Sequence, residues 1–553
     1  MRKSAALLTT LALAFSALAS ASITITPSIK NGQTVAGEMK VSLVVDSDSL
    51  VTSVEFYVGD DLIGTDNSTP YEFSSDTLSV DDGSLKMALA AYNEKGESAK
   101  ATVTVSVNNE ISKGTVYLAG QSNSASDVSN WIDGVRFGRA AVKADATSVT
   151  AKLALARAYF GAGQFDRAQQ HAEDAGKIEP TNRRVLDLLS AIHLKRAFST
   201  LDRGDRAETA NVIRGAFAAA AKSRTDSLQA VADGFVTVDD SNRIAYVDAL
   251  LDAGRYSLVI SELKPRFRTN PKDNQIADRL MFAQVRSGRL QEAAQTMKDV
   301  QRFGEFDGEG EALRALLLLF AGEYEASAEA EKNALLNSPD SLVVASCRTW
   351  MSLRRNDLGA ARSLATGLAA TQGQDPIVNS ALCTLYWRTG EFEKSRAAFE
   401  TAILAEPANV DLYIEKANQV IEFGLRSDVT GEDRTYQFRL ADAYFDAALA
   451  AKPDSFQAMT GKSLTLAMLK DTAGALKFAT SASKAGPNYA GAQYALAAVL
   501  FDLNQNTEAK NALKAAEVAD ARGLGGRPIP KVLDAWQYFA GIGRLPLVAR
   551  PRG

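Results

Sequence analysis

From Ile23 to Val107 apolar and polar residues alternate with a period of two. Ile23-Thr-Ile-Thr, Val41-Ser-Leu-Val-Val, Val54-Glu-Phe-Tyr-Val and Val103-Thr-Val-Ser-Val each put their apolar side chains on one face, as a half-buried strand requires. Turn sequences fall between them: Asn31-Gly32, Gly59-Asp60-Asp61, Asp81-Asp82-Gly83 and Glu94-Lys95-Gly96. About seven short strands in about 85 residues predict a β-sandwich. Beyond Asn109 the alternation stops. The polar run Gly120-Gln-Ser-Asn-Ser-Ala-Ser-Asp-Val-Ser-Asn130 reads as a flexible linker.

The remainder carries a long period. Gly254, Gly288, Gly322, Gly390 and Gly424 lie on one 34-residue grid, with Asn356 on the vacant point. Pro271, Pro339 and Pro407 each follow a grid glycine by 17 residues, and Gly163 and Pro180 repeat that offset. A period of 34 is that of a helix–turn–helix repeat. A small residue or valine stands five after each turn: Ala168, Val259, Ala293, Ser327, Ala361 and Ser395. Two after it stand Phe165, Tyr256, Leu290, Tyr324, Leu358 and Phe392, of which the aromatic ones are expected to fill the space between neighbouring pairs. The stretch from 183 to 239 and the interruption at Gly431-Glu-Asp-Arg break the grid.

Two resemblances follow. The run from Val54 through Gly64-Thr65, Pro70-Tyr71-Glu72-Phe73, Asp82-Gly83 and Ala90-Ala91-Tyr92-Asn93 resembles the bacterial Ig-like domains of exported proteins. That likeness implies a spacer or a surface-adhesion module. Leu155-Ala156, Tyr159, Gly163, Phe165, Ala168, Ala172, Ala175 and Pro180 form the best copy of a pattern that resembles the tetratricopeptide repeat. The fold expected is therefore a small all-β sandwich followed by an all-α superhelical solenoid of about ten repeats. The divisions expected are a signal peptide over 1–21, the sandwich over 22–109, a linker over 110–130, the solenoid over 131–525, and a capping helix and tail over 526–553. In a solenoid each repeat packs on its neighbours. Trp131 to Lys143 is expected to close one end as a lone helix, and Pro530 to Ala540, with Trp536, Tyr538 and Phe539, the other.

Charge sharpens this division. Residues 22–109 carry thirteen acidic and five basic side chains and no arginine, whereas the 553-residue chain as a whole has a net charge of −5. That balance argues against a nucleic-acid binder. The chain opens with Arg2 and Lys3, an apolar run from Ala5 to Ala19, and small residues at Ala17, Ala19 and Ala21, the pattern of a secretory signal peptide. No later run of eighteen apolar residues suggests a membrane span. An exported protein, periplasmic or extracellular, is expected.

Catalytic chemistry finds little material. The chain has two histidines, His171 and His193, and two cysteines, Cys347 and Cys383, with no metal-ligand spacing among them. Gly120-Gln-Ser-Asn-Ser lacks the last glycine of a nucleophile elbow, and no glycine-rich loop leads into Lys-Ser or Lys-Thr. The aspartates at 60, 61, 66, 76, 81 and 82 fit no calcium loop and serve as turn residues. The register of Cys347 and Cys383 favours separate buried thiols over a disulfide. No enzyme activity, cofactor or metal is expected.

The repeat resemblance implies that the first helix of each pair lines a concave groove. Two residues before the turn stand Arg286, Arg354 and Arg388; six before it stand Phe282 and Trp350; Trp387 is three before Gly390. Arg and Trp dominate binding hot spots. These six are the candidate ligand-binding residues, for a protein or peptide held by a non-enzymatic scaffold. Two other readings stand beside it. The tryptophans pack and the arginines pair with nearby carboxylates; or the chain is a surface protein whose aromatic residues and Ig-like module meet a cell-envelope glycan.

Overall fold

The computed structural model describes residues 23–203, 206–321 and 323–541. The expected signal peptide, grid residue Gly322 and the tail from residue 542 lie outside the described residues. The chain divides into two compact units, one reaching His171 and the other beginning at Ala172.

The first unit opens with eight strands: β1 (Thr24–Pro27), β2 (Thr34–Val35), β3 (Glu38–Asp46), β4 (Val51–Val58), β5 (Asp61–Asp66), β6 (Tyr71–Asp76), β7 (Gly83–Asn93) and β8 (Ser98–Val107). They form a three-stranded sheet, β1-β3-β6, and a five-stranded sheet, β2-β8-β7-β4-β5. Neighbours are antiparallel except β2 and β8. The alternating apolar faces meet between the sheets, with Val41 and Leu43 from one and Val54, Phe56, Leu89 and Val105 from the other fully or nearly buried. Phe56 of β4 stacks on Phe73 of β6 at 5.4 Å and ties the layers together.

The expected linker is a helix. α1 (Thr115–Asp127) runs antiparallel to α2 (Trp131–Ala144), and both pack on α3 (Val149–Gly161). The Ser/Ala/Asn run that read as a flexible join is small because it faces glycines. A Cβ on Gly134 would sit 2.9 Å from Ser126 Oγ, and one on Gly138 3.0 Å from Ser122 Oγ and 2.9 Å from Leu155 Cα. The Ser122 hydroxyl donates to the Gly134 carbonyl at 2.7 Å. Trp131 to Lys143 is thus the second helix of a pair, and not a lone cap.

The sandwich is fastened to this pair. Asn109, 1% exposed, accepts hydrogen bonds from the Gly37 amide at 2.9 Å and the Thr77 hydroxyl at 3.0 Å. Arg139 of α2 pairs with Asp76, and Lys143 donates to the Leu78 carbonyl at 2.8 Å. Leu78 is buried among Leu118, Ala140 and Ala141.

The next helix, α4 (Phe165–Ile178), crosses the division between the units. In the second unit the pairs are α5 (Arg183–Arg203) with α6 (Arg206–Asp233), α7 (Arg243–Asp252) with α8 (Tyr256–Thr269), and α9 (Asn274–Arg286) with α10 (Leu290–Phe303). Then follow α11 (Gly308–Ala321) with α12 (Tyr324–Asn337), α13 (Leu342–Arg354) with α14 (Leu358–Gln372), and α15 (Pro376–Arg388) with α16 (Phe392–Ala405). The last are α17 (Val410–Gly424) with α18 (Gly431–Ala451), α19 (Phe456–Met468) with α20 (Thr472–Ala485), and α21 (Ala490–Asp502) with α22 (Asn506–Ala519). A one-turn helix, α23 (Ala521–Leu524), and α24 (Val532–Gly541) end the described chain.

The turn within a pair takes one residue of left-handed backbone. Ser129, Gly163, Gly254, Gly288, Asn356, Gly390, Lys470 and Asn504 all hold φ between 58° and 76° at this point. Only glycine adopts it without steric cost, and asparagine adopts it readily. Gly424 shares the 34-residue spacing but does something else. It ends α17 inside the helix, where a Cβ would lie 3.0 Å from Gln437 and 3.2 Å from the Phe438 ring. The residues five after the turn behave as read: Ala168, Val259, Ala293, Ser327, Ala361 and Ser395 are all fully buried. Ser327 and Ser395 donate to carbonyls of their partner helices, Ala315 and Cys383, each at 2.8 Å. Of the large residues two after the turn, Tyr256 reaches Phe282 of the next pair at 6.4 Å, but two others do not fill the space between pairs. Tyr324 is 68% exposed, and Phe392 packs edge-on against Trp387 of its own pair at 4.9 Å.

The two stretches that broke the grid are packed on each other. The lengthened α6 lies against the lengthened α18, more than 200 residues away along the chain. Phe217 of α6 meets Tyr444 of α18 at 5.4 Å, Tyr413 of α17 at 5.8 Å and Phe399 of α16 at 6.4 Å. Arg214 of α6 bonds Asp442 at 2.6 Å and Asp446 at 3.0 Å, and Lys462 of α19 reaches the same two carboxylates. Arg224 pairs with Glu406. The superhelix of this unit therefore closes a turn on itself between α6 and α18. The expectation that repeats meet only their neighbours fails at this seam.

Candidate functional site

The six candidates separate into groups once the turn is closed. Phe282 and Arg286, on the last turns of α9, line a cavity of about 300 Å³ between α7, α9 and the N-terminal ends of α15, α17 and α19. There Arg286 forms an ion pair with Asp411 of α17, the two side chains being 9% and 10% exposed. The carboxylate beside it drives the guanidinium pKa up against the opposing effect of burial. Phe282 is buried edge-on to Tyr256 at 6.4 Å. Lys452 rests over that same tyrosine ring at 4.1 Å, and burial pushes its ammonium down to about 8. The sequence placed Arg286 in a groove facing solvent. The structure gives it a partner 125 residues on, as a clasp across the closed turn.

Trp350 of α13 packs against two apolar cores, and its indole N–H is buried without a hydrogen-bond partner. Arg354, one turn further, is half-buried; desolvation pulls its pKa down, while Tyr324, Tyr538 and Asp520 raise it and Arg388 lowers it. Trp350 and Arg354 thus sit deeper than a solvent-facing stripe requires.

Trp387 and Arg388 of α15 are the two that open on a usable space. With Glu415, Asn418, Gln419, Glu422 and Leu425 on the α17 side they line a cavity of about 540 Å³. Trp387 donates from its indole nitrogen to Glu422 at 2.7 Å, and Arg388 donates to the Leu353 carbonyl at 2.5 Å. Glu415, Asn418 and Gln419 are nearly buried, and the Asn418 side-chain amide lacks an acceptor for its Nδ2. Buried amides of this kind demand a partner. Asn418 and Glu422 were readable: they stand six and two before Gly424, the register that singled out Phe282, Trp350 and Arg286.

The opposite wall of this cavity is α24. Leu533, Trp536, Gln537, Ala540 and Gly541 face Trp387 and Asn418. Trp536 donates from Nε1 to Asn418 Oδ1 at 3.2 Å. Phe539 is fully buried beside Gly461 of α19, where a Cβ would meet the Phe445 and Phe539 rings. Tyr538 lies edge-on to Tyr494 of α21 at 5.3 Å and donates to Asp520 at 2.7 Å. The helix expected to close the end of the solenoid instead lies across the first helices of successive pairs, on the face expected to bind ligand.

The remaining polar chemistry is structural. His171 stacks on Tyr159 at 5.6 Å, and burial lowers the His193 pKa. Cys347 and Cys383 are free and fully buried, and desolvation raises both thiols. Among the described residues no group of three or more His, Cys, Asp or Glu side chains is placed to hold a metal ion. No helix among them is long and apolar enough to cross a membrane.

Comparison with known proteins agrees with this architecture. A family model described as a bacterial Ig domain matches residues 22–87. Models described as tetratricopeptide repeats match residues 134–192 and 383–409. No curated protein matches the chain. Fibronectin(III)-like modules of Clostridium thermocellum CbhA are 26% identical over 15% of this chain and 94% of theirs, with a TM-score of 0.14. Yeast Tom70 is 14% identical over 77% of this chain and 95% of its own, with a TM-score of 0.34. YrrB, described as a TPR protein with an unusual peptide-binding site, is 16% identical over 35% of this chain and 95% of its own, with a TM-score of 0.24. All three scores are low, so the assignment rests on the family models and on the paired helices. The chain is an N-terminal bacterial Ig-like domain followed by tetratricopeptide repeats.

Proposed function

We propose that this protein is an exported, non-enzymatic scaffold that holds a segment of another protein on the inner face of its helical repeats. One observation carries the reading: the face formed by α15, α17, α19 and α21 already holds a short helix, with a cavity of about 540 Å³ and mixed polar and apolar lining left beside it. Trp387, Arg388, Glu422 and Asn418 offer an aromatic surface, both charges and an amide in one place. That mixture suits a peptide, whose backbone and side chains present donors and acceptors together. Export is proposed from the basic start and apolar run of residues 2–19 and from the Ig-like module. Recovery of the protein only in the cytoplasmic fraction, with Met1 found by N-terminal sequencing, would overturn it.

The binding reading is tested with a photo-crosslinking residue at Leu425, on the cavity wall. Crosslinks in native cells should reach a protein segment, and Arg388→Ala with Trp387→Ala should reduce them at least tenfold, with far-UV circular dichroism unchanged. Crosslinks confined to this chain itself would refute it. Capture of a sugar polymer, insensitive to salt, would favour the adhesion reading instead, because aromatic stacking is not screened as ion pairs are.

A further inference from the structure

We infer that α24 is a resident ligand of the inner face, and that the partner this face fits is a short amphipathic helix with the same aromatic pattern. The inference rests on the reading of that face as a segment-binding surface. Three features of α24 set it apart from the paired helices. It does not belong to a helix–turn–helix pair. It is joined by the stretch 525–531, which contains Pro528 and Pro530 and leaves Gly525, Gly526, Arg527 and Pro528 exposed. And its contacts come from one face of about ten residues: Ala535, Trp536, Tyr538 and Phe539 are buried, whereas Leu533, Asp534 and Gln537 are exposed. An amphipathic helix laid in a groove is read at this spacing.

The receiving face is shaped to it. Gly461 leaves space that Phe445 of α18 and Phe539 of α24 share, and Asn418 supplies the acceptor for Trp536. The fit is incomplete. The cavity beside Trp536 is unfilled by α24, and the Asn418 amide donor beside it is unanswered. A longer or more polar helix that kept the two aromatic anchors and placed a carbonyl or carboxylate on Asn418 Nδ2 would satisfy what α24 does not. Such a partner must first displace α24, whose tether of roughly seven residues holds it at an effective concentration in the millimolar range. The chain's own helix thereby sets a threshold that weak segments fail to pass.

The test uses the full chain with a site-specific protease sequence inserted at Gly526. A labelled peptide of residues 526–541 is titrated into intact and nicked protein, and anisotropy is read. The nicked protein should take up the peptide at concentrations at least tenfold lower than the intact protein. The same peptide with Trp536→Ala and Phe539→Ala should bind at least tenfold more weakly. A second measurement avoids the nick: the full chain carrying Trp536→Ala and Phe539→Ala should keep its helical circular dichroism and accept the wild-type peptide without cleavage. Loss of helical signal in that variant, or refusal of the peptide by both nicked and substituted protein, would make α24 a structural part and overturn the inference. The crosslinks from Leu425 separate the two failures. If they persist while the peptide finds no site, the inner face still binds segments and only the role of α24 falls. If the peptide binds and native crosslinks are absent, the opposite holds.

Discussion

The clasp between Arg286 and Asp411 decides whether the closed turn is a property of the fold or a loose contact. Both side chains are about nine-tenths buried, so removing one partner leaves a charge in a site of low polarity. Breaking such a pair costs about 3–5 kcal/mol, whereas replacing both by apolar side chains of similar volume is close to neutral. The neighbours make the two single changes unequal. Lys452 lies in the same cavity, lowered by burial and by Arg286 and raised by Asp411. Arg286→Met leaves Asp411 with Lys452 as a substitute counter-ion, and with the N-terminus of α17, where a carboxylate is favoured. Asp411→Leu removes the carboxylate that acts on both cations and leaves Asp454 to offset Lys452. The expected costs are therefore about 3 kcal/mol for Arg286→Met and about 5 kcal/mol for Asp411→Leu, with the double variant near wild type. Urea denaturation followed by far-UV circular dichroism gives the cycle, and the coupling energy should exceed about 2 kcal/mol. A coupling below about 0.5 kcal/mol is the value of an exposed pair and would refute closure through this contact. Loss of partner binding in Arg286→Met at unchanged stability would return Arg286 to the ligand surface.

Three further outcomes follow from buried groups and from the corrected boundary. Asp278 of α9 is 3% exposed beside Asp307, and desolvation first, then that carboxylate, hold its pKa well above the usual range. The folded state thus binds this proton more tightly than the unfolded chain, so stability falls as pH rises from about 4 through the folded pKa; Asp278→Asn should raise the urea midpoint at pH 7 and flatten that decline, and an unchanged profile would show the site to be hydrated. Cys347 and Cys383 should resist a thiol reagent in the folded protein and both react in denaturant; rapid labelling of either before unfolding would contradict their burial. Limited digestion with a nonspecific protease should cut first near the exposed residues 525–528 and should spare 115–127, so the sandwich is released only together with α1 and α2; an early fragment ending near residue 120 would restore the flexible linker.

What was legible in the sequence is what repeats locally. The period of two located the strands, and the 34-residue spacing located the turns, because both are written into residues a few positions apart. The buried small residues Ala168, Ala293, Ala361 and Ser395 were readable for the same reason. α1 was not, because apart from Leu118 the face it buries is Ala119, Ser122 and Ser126, set against Gly134 and Gly138. Such a face carries little apolar contrast, and apolar contrast is what a periodicity argument measures. The seam between α6 and α18 and the clasp from Arg286 to Asp411 were hidden for a different reason. Their partners are separated by more than 120 residues, and one chain without its relatives holds no trace of which distant pairs meet. The grid breaks at 183–239 and at Gly431 were nevertheless visible, and they marked the two places where the superhelix departs from nearest-neighbour packing.

Closure of the turn changes which residues are free to act. In an open solenoid the register two before each turn presents Arg286, Arg354 and Arg388 as equivalent. Here the first is consumed by Asp411, the second is half-buried with Tyr538 and Asp520 acting on it, and the third opens on a cavity. The repeat supplies three copies of one position, and long-range contacts make three different residues of them. The pattern in α17 points the same way, since Glu415, Asn418 and Gln419 place nearly buried polar groups on a helix face that packing alone would fill with apolar side chains. Burying three polar side chains costs more than burying leucines unless their donors and acceptors are met. Asn418 answers Trp536 with its carbonyl and leaves its amide unmet. Gln419 Nε2 donates to Glu415 at 3.2 Å, so Asn418 Nδ2 is the donor of this set that the proposed segment would meet.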